Sequence, residues 1–66
     1  MTEETLGVRL RKIRESLEIS IVEAAKKMGF AHYQTISEIE NGRREVKASE
    51  LASFSKLYYC SIETLF

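Results

Sequence analysis

Residues 20–42 read SIVEAAKKMGFAHYQTISEIENG, and this stretch decides the fold. Ser20 stands three residues before Glu23, which is the capping-box pattern that begins a helix. Gly29 can end that helix, because glycine adopts the left-handed conformation without a Cβ penalty. A second helix follows almost at once and closes on Gly42. The pattern therefore predicts two short helices joined by a tight turn.

Small and apolar residues within this stretch indicate how the two helices cross. Ala25 and Gly29 stand four residues apart, and Ile36 and Ile39 stand three apart on the second helix. Two helices that meet at a steep angle need a small residue where their backbones come close and a flexible residue at the corner. The outer face of the second helix then projects with a shape that suits the major groove of duplex DNA. An ordinary helical hairpin is the alternative interpretation.

Amphipathic patterns outside this stretch predict further helices. Leu6, Leu10 and Ile13 recur at helical spacing before it, and Leu51 and Phe54 do so after it. All ten acidic residues are glutamate and proline is absent, which also favours helix. The sequence predicts a single all-α domain over residues 1–66, with five short helices around one core, near residues 5–18, 21–28, 33–41, 48–58 and 62–66.

The composition nearly excludes several classes of function. A chain of 66 residues is too small for a large active-site cleft, because it buries only about 60% of the surface it exposes when unfolded. One cysteine, Cys60, and one histidine, His32, leave too few ligands for a zinc site. No apolar run approaches the roughly 20 residues that cross a bilayer, and no signal-peptide core is present. We therefore expect a cytoplasmic protein that is not an enzyme and has no metal, cofactor, small-molecule ligand or membrane contact.

Zero net charge, from ten basic and ten acidic residues, argues against a protein that finds nucleic acid by bulk charge. Four stretches nevertheless carry a family resemblance: LGVRLRKIRESLEIS, EAAKKMGF, TISEIENGRRE and SELASFSKLYYCSIETLF. With them, the chain from Leu6 to Phe66 resembles the Cro and lambda-repressor-like (XRE-type) helix-turn-helix family. The resemblance implies a lambda-repressor-like domain in which helices 2 and 3 form the helix-turn-helix. It also implies a transcriptional regulator, interpreted here as a repressor, that binds a double-stranded DNA operator as a homodimer.

The resemblance places the residues that read base edges on the third helix, at Tyr33, Gln34, Ser37 and Glu38. Their chemistry suits this role. The Gln34 amide can pair bidentately with adenine, Tyr33 can contact a thymine methyl group, and the Glu38 carboxylate can accept a hydrogen bond from cytosine N4. Solvated polar side chains are the alternative interpretation.

Phosphate contacts must supply most of the binding free energy. The candidates for these contacts are Ser20, His32, Thr35, Asn41, Arg43, Arg44 and Lys47. The alternative for Arg43 and Arg44 is a solvated charged loop, and the alternative for His32 is helix capping. In the family, the glutamate that corresponds to Glu40 pairs with a basic residue of the first helix, which here is Arg14. The resemblance thus implies a structural salt bridge between Arg14 and Glu40.

The sequence departs from the family pattern at three places. Ile21 stands where the family commonly has a phosphate-binding glutamine, so Ile21 and Val22 either pack on a neighbour or are exposed for a partner. The segment from Gly29 to Ile36 has one residue more than the commonest spacing, which alters how the reading helix is aimed. Tyr59 replaces a helix-ending glycine. Cys60 matches a small buried position, and we expect an unreactive thiol there.

Two other functions remain open at this stage. The first is a protein-interaction module of the same fold without DNA binding, which zero net charge and Ile21 favour. The second is the N-terminal DNA-binding domain of a longer regulator. For a homodimer, the apolar surface would come from the C-terminal end, with core packing as the alternative for the same side chains: Leu57, Tyr59, Ile62 and Phe66.

Overall fold

The computed structural model describes residues 5–65, and all regular structure in these residues is helical. The predicted all-α fold class is therefore confirmed. No helix among the described residues is long and apolar enough to span a membrane. The elements are α1 (Leu6–Ser16), α2 (Ile21–Met28), α3 (Gln34–Glu40), α4 (Ala48–Leu57) and a 3₁₀ turn (Ile62–Leu65).

The prediction of a fifth helix is wrong, because the last element is a single 3₁₀ turn. At its start, the Thr64 backbone N donates to the carbonyl O of Ser61, three residues earlier, at 3.1 Å. Phe66, at the predicted end of this element, lies outside the described residues. Helix α1 ends two residues before its predicted end, since Glu18 adopts a left-handed backbone conformation with φ of 58°. The predicted helices 33–41 and 48–58 are likewise longer than α3 and α4.

Helix α2 has the two caps that its sequence predicts. The Ser20 Oγ accepts a hydrogen bond from the Glu23 backbone N at 3.0 Å, and Gly29 ends the helix with φ of 79°. The second half of the capping box differs from expectation, because the Glu23 carboxylate lies 3.6 Å from Lys27 Nζ. Helix α2 is therefore closed by a hydroxyl at its start and a left-handed glycine at its end.

One apolar core joins all five elements. Helix α3 packs against α1 and α2, while α4 packs against α2 and the 3₁₀ turn. The two alanines of α2 are both buried, so that neighbouring helices approach it closely. The buried apolar residues are Leu10, Ala24, Ala25, Ile36, Ile39, Phe54, Tyr58 and Leu65.

A second close approach joins the start of α1 to the end of α3 at Gly7. A Cβ atom at Gly7 would lie 2.7 Å from the Glu40 carbonyl O and closer still to that of Ile39. Both neighbours are backbone atoms, which cannot move aside as a flexible side chain can. Position 7 therefore requires glycine for space, and this contact fixes where α3 ends against α1.

Candidate nucleic-acid interface

Helix α3 has one face in the core and one face in solvent. Ile36, Ile39 and Glu40 are buried on the inner face. Gln34 and Glu38 are exposed on the outer face, because residues four apart lie on the same side of a helix. This outer face is polar and open, and among the described residues no other element covers it.

The turn before α3 presents Tyr33 beside this face. The Ile36 backbone N donates to the Tyr33 carbonyl O at 3.1 Å, and the Thr35 backbone N donates to the His32 carbonyl O at 3.2 Å. Tyr33 already has helical backbone angles, and its side chain is 52% exposed. The longer turn thus continues directly into α3 and leaves an aromatic ring at its entrance.

The four predicted base-reading residues therefore lie together. Tyr33, Gln34 and Glu38 are exposed, and Ser37 is half-buried between them. At the end of the same face, the Asn41 Nδ2 donates to the Ser37 Oγ at 3.4 Å. Together these side chains offer amide, hydroxyl, phenol and carboxylate groups to a partner, which is the range of hydrogen-bonding groups that base edges accept.

The predicted phosphate-contacting residues stand before, within and after α3 in the chain, and they are not all equally available. His32, Arg43 and Lys47 are exposed, and Thr35 is half-buried. The exposed Ser20 Oγ already accepts the capping hydrogen bond of α2. Its hydroxyl hydrogen can still be donated to an anion.

Arg44 differs from its neighbour Arg43, because its guanidinium is already bound by a carboxylate of the protein. Arg44 Nη1 and Nη2 donate to Oε1 and Oε2 of Glu50 at 3.1 and 2.9 Å. Its Cζ lies 5.4 Å from the centre of the Phe30 ring. The hydrogen bonds to Glu50 raise the pKa of Arg44. The same guanidinium holds the pKa of Glu50 below its ordinary value.

Arg14 and Glu40 form the second such pair, behind α3 rather than beside it. Arg14 Nε donates to Glu40 Oε2 at 2.8 Å, and Nη2 donates to Oε1 at 3.2 Å. Arg14 Nη1 also donates to the Ile19 carbonyl O at 2.8 Å. The two side chains are only 10% and 6% exposed, and the hydrogen bond to Glu40 raises the pKa of Arg14. This geometry ties α1, the segment before α2 and the end of α3 together.

Ile21 and Tyr59, which depart from the family pattern, and their neighbours Val22 and Cys60 have separate environments. Ile21 packs against the core, whereas the Val22 side chain is 49% exposed. Tyr59 has a left-handed backbone with φ of 54°, which is the conformation that a glycine would adopt without strain. Cys60 packs against the core, and burial raises the pKa of its thiol.

Two features near the site were missed in the sequence. The pairing of Arg44 with Glu50 could have been suspected, because a glutamate at the third position of a helix reaches back to the cap, as Glu50 does to the Lys47 backbone N at 3.0 Å. The close contact at Gly7 has a weaker signal. A glycine inside an amphipathic helical pattern suggests a packing reason, but its partner is distant in sequence.

Comparisons with known proteins give the same fold. A sequence model of the family described as helix-turn-helix matches residues 10–65. A similar solved structure is the restriction-modification controller protein C.AhdI from Aeromonas hydrophila. It has a TM-score of 0.85 at 23% identity, with 92% of this chain and 91% of that chain covered. No curated protein sequence matches the chain significantly.

Two further solved structures are named as regulators. The DNA-binding domain of the P22 C2 repressor has a TM-score of 0.89 at 29% identity, with 98% of this chain and 84% of that chain covered. The clp gene regulator ClgR from Corynebacterium glutamicum has a TM-score of 0.85 at 30% identity. That match covers 91% of this chain and 63% of ClgR. These likenesses confirm the lambda-repressor-like architecture that the sequence predicts.

Proposed function

Since the chain belongs to the helix-turn-helix family of DNA-binding transcriptional regulators, we propose that it is a sequence-specific repressor. In this proposal, α3 lies in the major groove of a double-stranded operator. The observation that carries it is the open, polar outer face of α3, opposite a fully packed inner face. The proposal includes no catalytic activity or cofactor, and it retains the cytoplasmic location predicted from the sequence.

Base reading is assigned to Tyr33, Gln34, Ser37 and Glu38. Gln34 is the strongest candidate for a base contact, because it is exposed in the first turn of α3 and its amide matches the donor and acceptor of adenine. Tyr33, at the helix entrance, suits a thymine methyl group. The negative charge of Glu38 repels phosphates, but its carboxylate can accept a hydrogen bond from cytosine N4. Glu38 therefore contributes to selectivity rather than to affinity.

Phosphate contacts are assigned to polar side chains on both flanks of α3. Arg43 and Lys47 bring positive charge after the helix, while the Ser20 hydroxyl lies at the start of α2, whose positive dipole end favours an anion. Because the net charge is zero, DNA binding requires the phosphate-contacting groups to be concentrated on one surface. The remaining residues of this set are His32, Thr35 and Asn41, whereas Arg44 is considered separately below.

The deciding experiment is selection of bound sequences from random duplex DNA, followed by titration of the best sequence at several salt concentrations. We expect a defined site and a linear fall of log K with log salt, because phosphate contacts release counterions. Recovery of no preferred sequence, with no binding at low salt, would refute the proposal. A reporter gene placed behind the selected site then separates repression from activation.

The proposed unit on DNA is a homodimer, since one module of this size makes few contacts for operator affinity. Tyr59 is 86% exposed and Ile62 is 42% exposed, which provides apolar surface in the C-terminal part of the described residues. Sedimentation should show a dimer that Tyr59→Asn weakens, because asparagine tolerates the left-handed backbone but removes the ring. A monomer at every concentration, with and without DNA, would contradict this part.

Docking of a protein is the second candidate function, favoured by the exposed Val22 and by Ile21 at the position of the usual glutamine. The salt slope separates the two candidates. Binding through apolar contacts depends little on salt, whereas binding through phosphates depends on it steeply.

A further inference from the structure

The environment of Arg44 differs from that of a free phosphate-binding side chain. Both Glu50 carboxylate oxygens are engaged, since Oε1 accepts from Arg44 Nη1 and from the Lys47 backbone N, while Oε2 accepts from Arg44 Nη2. The Glu50 side chain is only 14% exposed and that of Arg44 only 30%. Moving Arg44 onto a phosphate would leave a largely buried carboxylate without its positive partner, which is unfavourable.

Arg44 and Phe30 also bracket the reading helix. Phe30 directly follows Gly29, which ends α2, and Arg44 stands two residues after Gly42, which follows α3. The guanidinium over the Phe30 ring therefore brings together the chain that enters α3 and the chain that leaves it. Glu50 then ties both to the start of α4.

We infer that Arg44 is a positioning residue, which clamps the two ends of the α3 segment to α4, and that its neighbour Arg43 alone of the two contacts phosphate. The inference rests on the proposed DNA binding. It assigns different tasks to two adjacent arginines. Arg44 controls how α3 is aimed into the groove, whereas Arg43 controls affinity for any duplex.

The first test compares salt slopes on the selected operator and on a mixed-sequence duplex. Arg43→Ala should lower the slope by about 1 per protomer on both duplexes, as loss of one phosphate contact does. Arg44→Ala should leave the slope unchanged and lower the ratio of operator to mixed-sequence affinity by about tenfold, because a misaimed helix loses base contacts of that order. Arg44→Lys, which keeps the charge but not the bidentate fork, should behave like Arg44→Ala.

Glu50→Gln sharpens the test, because it leaves both arginines in place. A positioning role predicts a loss of specificity at constant slope. A steeper slope for Glu50→Gln would overturn the inference, since it would mean that the carboxylate merely holds Arg44 away from phosphate. A fall of about 1 in the slope of Arg44→Ala would overturn it as well.

An unfolding measurement without DNA tests the clamp formed by Arg44 and Glu50. In urea, Arg44→Ala and Glu50→Gln should each lower stability, and the double variant should be about as stable as the weaker single variant, because both remove one shared interaction. Additive losses would overturn the clamp. Failure of the wild type to bind either duplex would instead overturn the proposed function and the aiming role together. Far-UV circular dichroism confirms that each variant is folded.

Discussion

On its inner face, α3 buries Ile36 and Ile39 against the core and pairs Glu40 with Arg14, whereas on its outer face Gln34 and Glu38 stand in solvent. The two faces belong to one seven-residue helix, yet the inner face is packed in the core and the outer face is open to a partner. Substitutions on the inner face should change folding and those on the outer face recognition. The clearest tests separate these two effects.

Gly7→Ala should strongly destabilise the fold, because it places a methyl group against the backbone carbonyl groups of Ile39 and Glu40 at the end of α3. We expect a loss of about 3 kcal/mol or more, at or beyond the upper end of overpacking effects, and urea unfolding measures it. Gly29→Ala is the matched control. A Cβ there meets nothing within 4 Å, so only the left-handed backbone costs about 1–2 kcal/mol. Equal losses at both positions would contradict the close-contact explanation.

Glu40→Ala should cost about 3 kcal/mol, because it leaves the buried Arg14 without its partner. The exposed pair of Arg11 and Glu15, at 3.5 Å, provides the control. Glu15→Ala should cost less than about 1 kcal/mol, as exposed ion pairs do. An unchanged urea midpoint for Glu40→Ala would show that the pair does not stabilise the fold.

Gln34→Ala should leave the free energy of unfolding within about 0.5 kcal/mol of wild type, because the side chain is exposed. It should reduce discrimination at one operator base pair by about 1–3 kcal/mol. Ile36→Ala, on the opposite face, should lose about 2–5 kcal/mol of stability through the cavity it leaves. Binding measurements against single-base operator variants decide the matter. Unaltered discrimination by Gln34→Ala would remove Gln34 from the reading set.

Acid should weaken the clamp that Arg44 and Glu50 form beside α3. The pKa of Glu50 lies below its ordinary value of 4.5 because Arg44 and the Lys47 backbone N bind the carboxylate. Its stabilising effect is therefore fully present above the unfolded-state pKa and is lost as the pH falls through the lower folded-state pKa. The stability difference between wild type and Glu50→Gln should shrink below pH 4.5. A difference that stays constant with pH would contradict this linkage.

Tyr58→Phe should have the smallest effect, although Tyr58 is buried in the core. Its hydroxyl makes no hydrogen bond with the described residues, and burial raises its pKa. Removing a buried hydroxyl that has no protein partner also removes the cost of burying it, so stability should be unchanged or rise by about 1 kcal/mol. A loss of stability in thermal or urea unfolding would indicate an unrecognised hydrogen bond.

The periodic and capping signals predicted most of the architecture. Ser20 and Gly29 place the limits of α2 through local hydrogen bonds and one backbone conformation, and such effects act within a few residues of the chain. The same logic failed at residues 62–66, where a cap and apolar spacing suggest a helix but the described residues contain only a 3₁₀ turn. So short an element is decided by what it packs against.

The sequence predicted which residues form the candidate site, but not which of the charged side chains near it are paired. Sequence and family resemblance brought Tyr33, Gln34, Ser37 and Glu38 together, since helical spacing alone assigns residues to one face. They did not distinguish Arg43 from Arg44, because two adjacent arginines look alike until the fold brings Glu50 beside one of them. The sequence by itself determined where helices begin and which faces are apolar, since these depend on neighbouring residues. Only the tertiary structure decided which charges are already paired and where α1 needs a glycine, because those contacts join residues far apart in the chain.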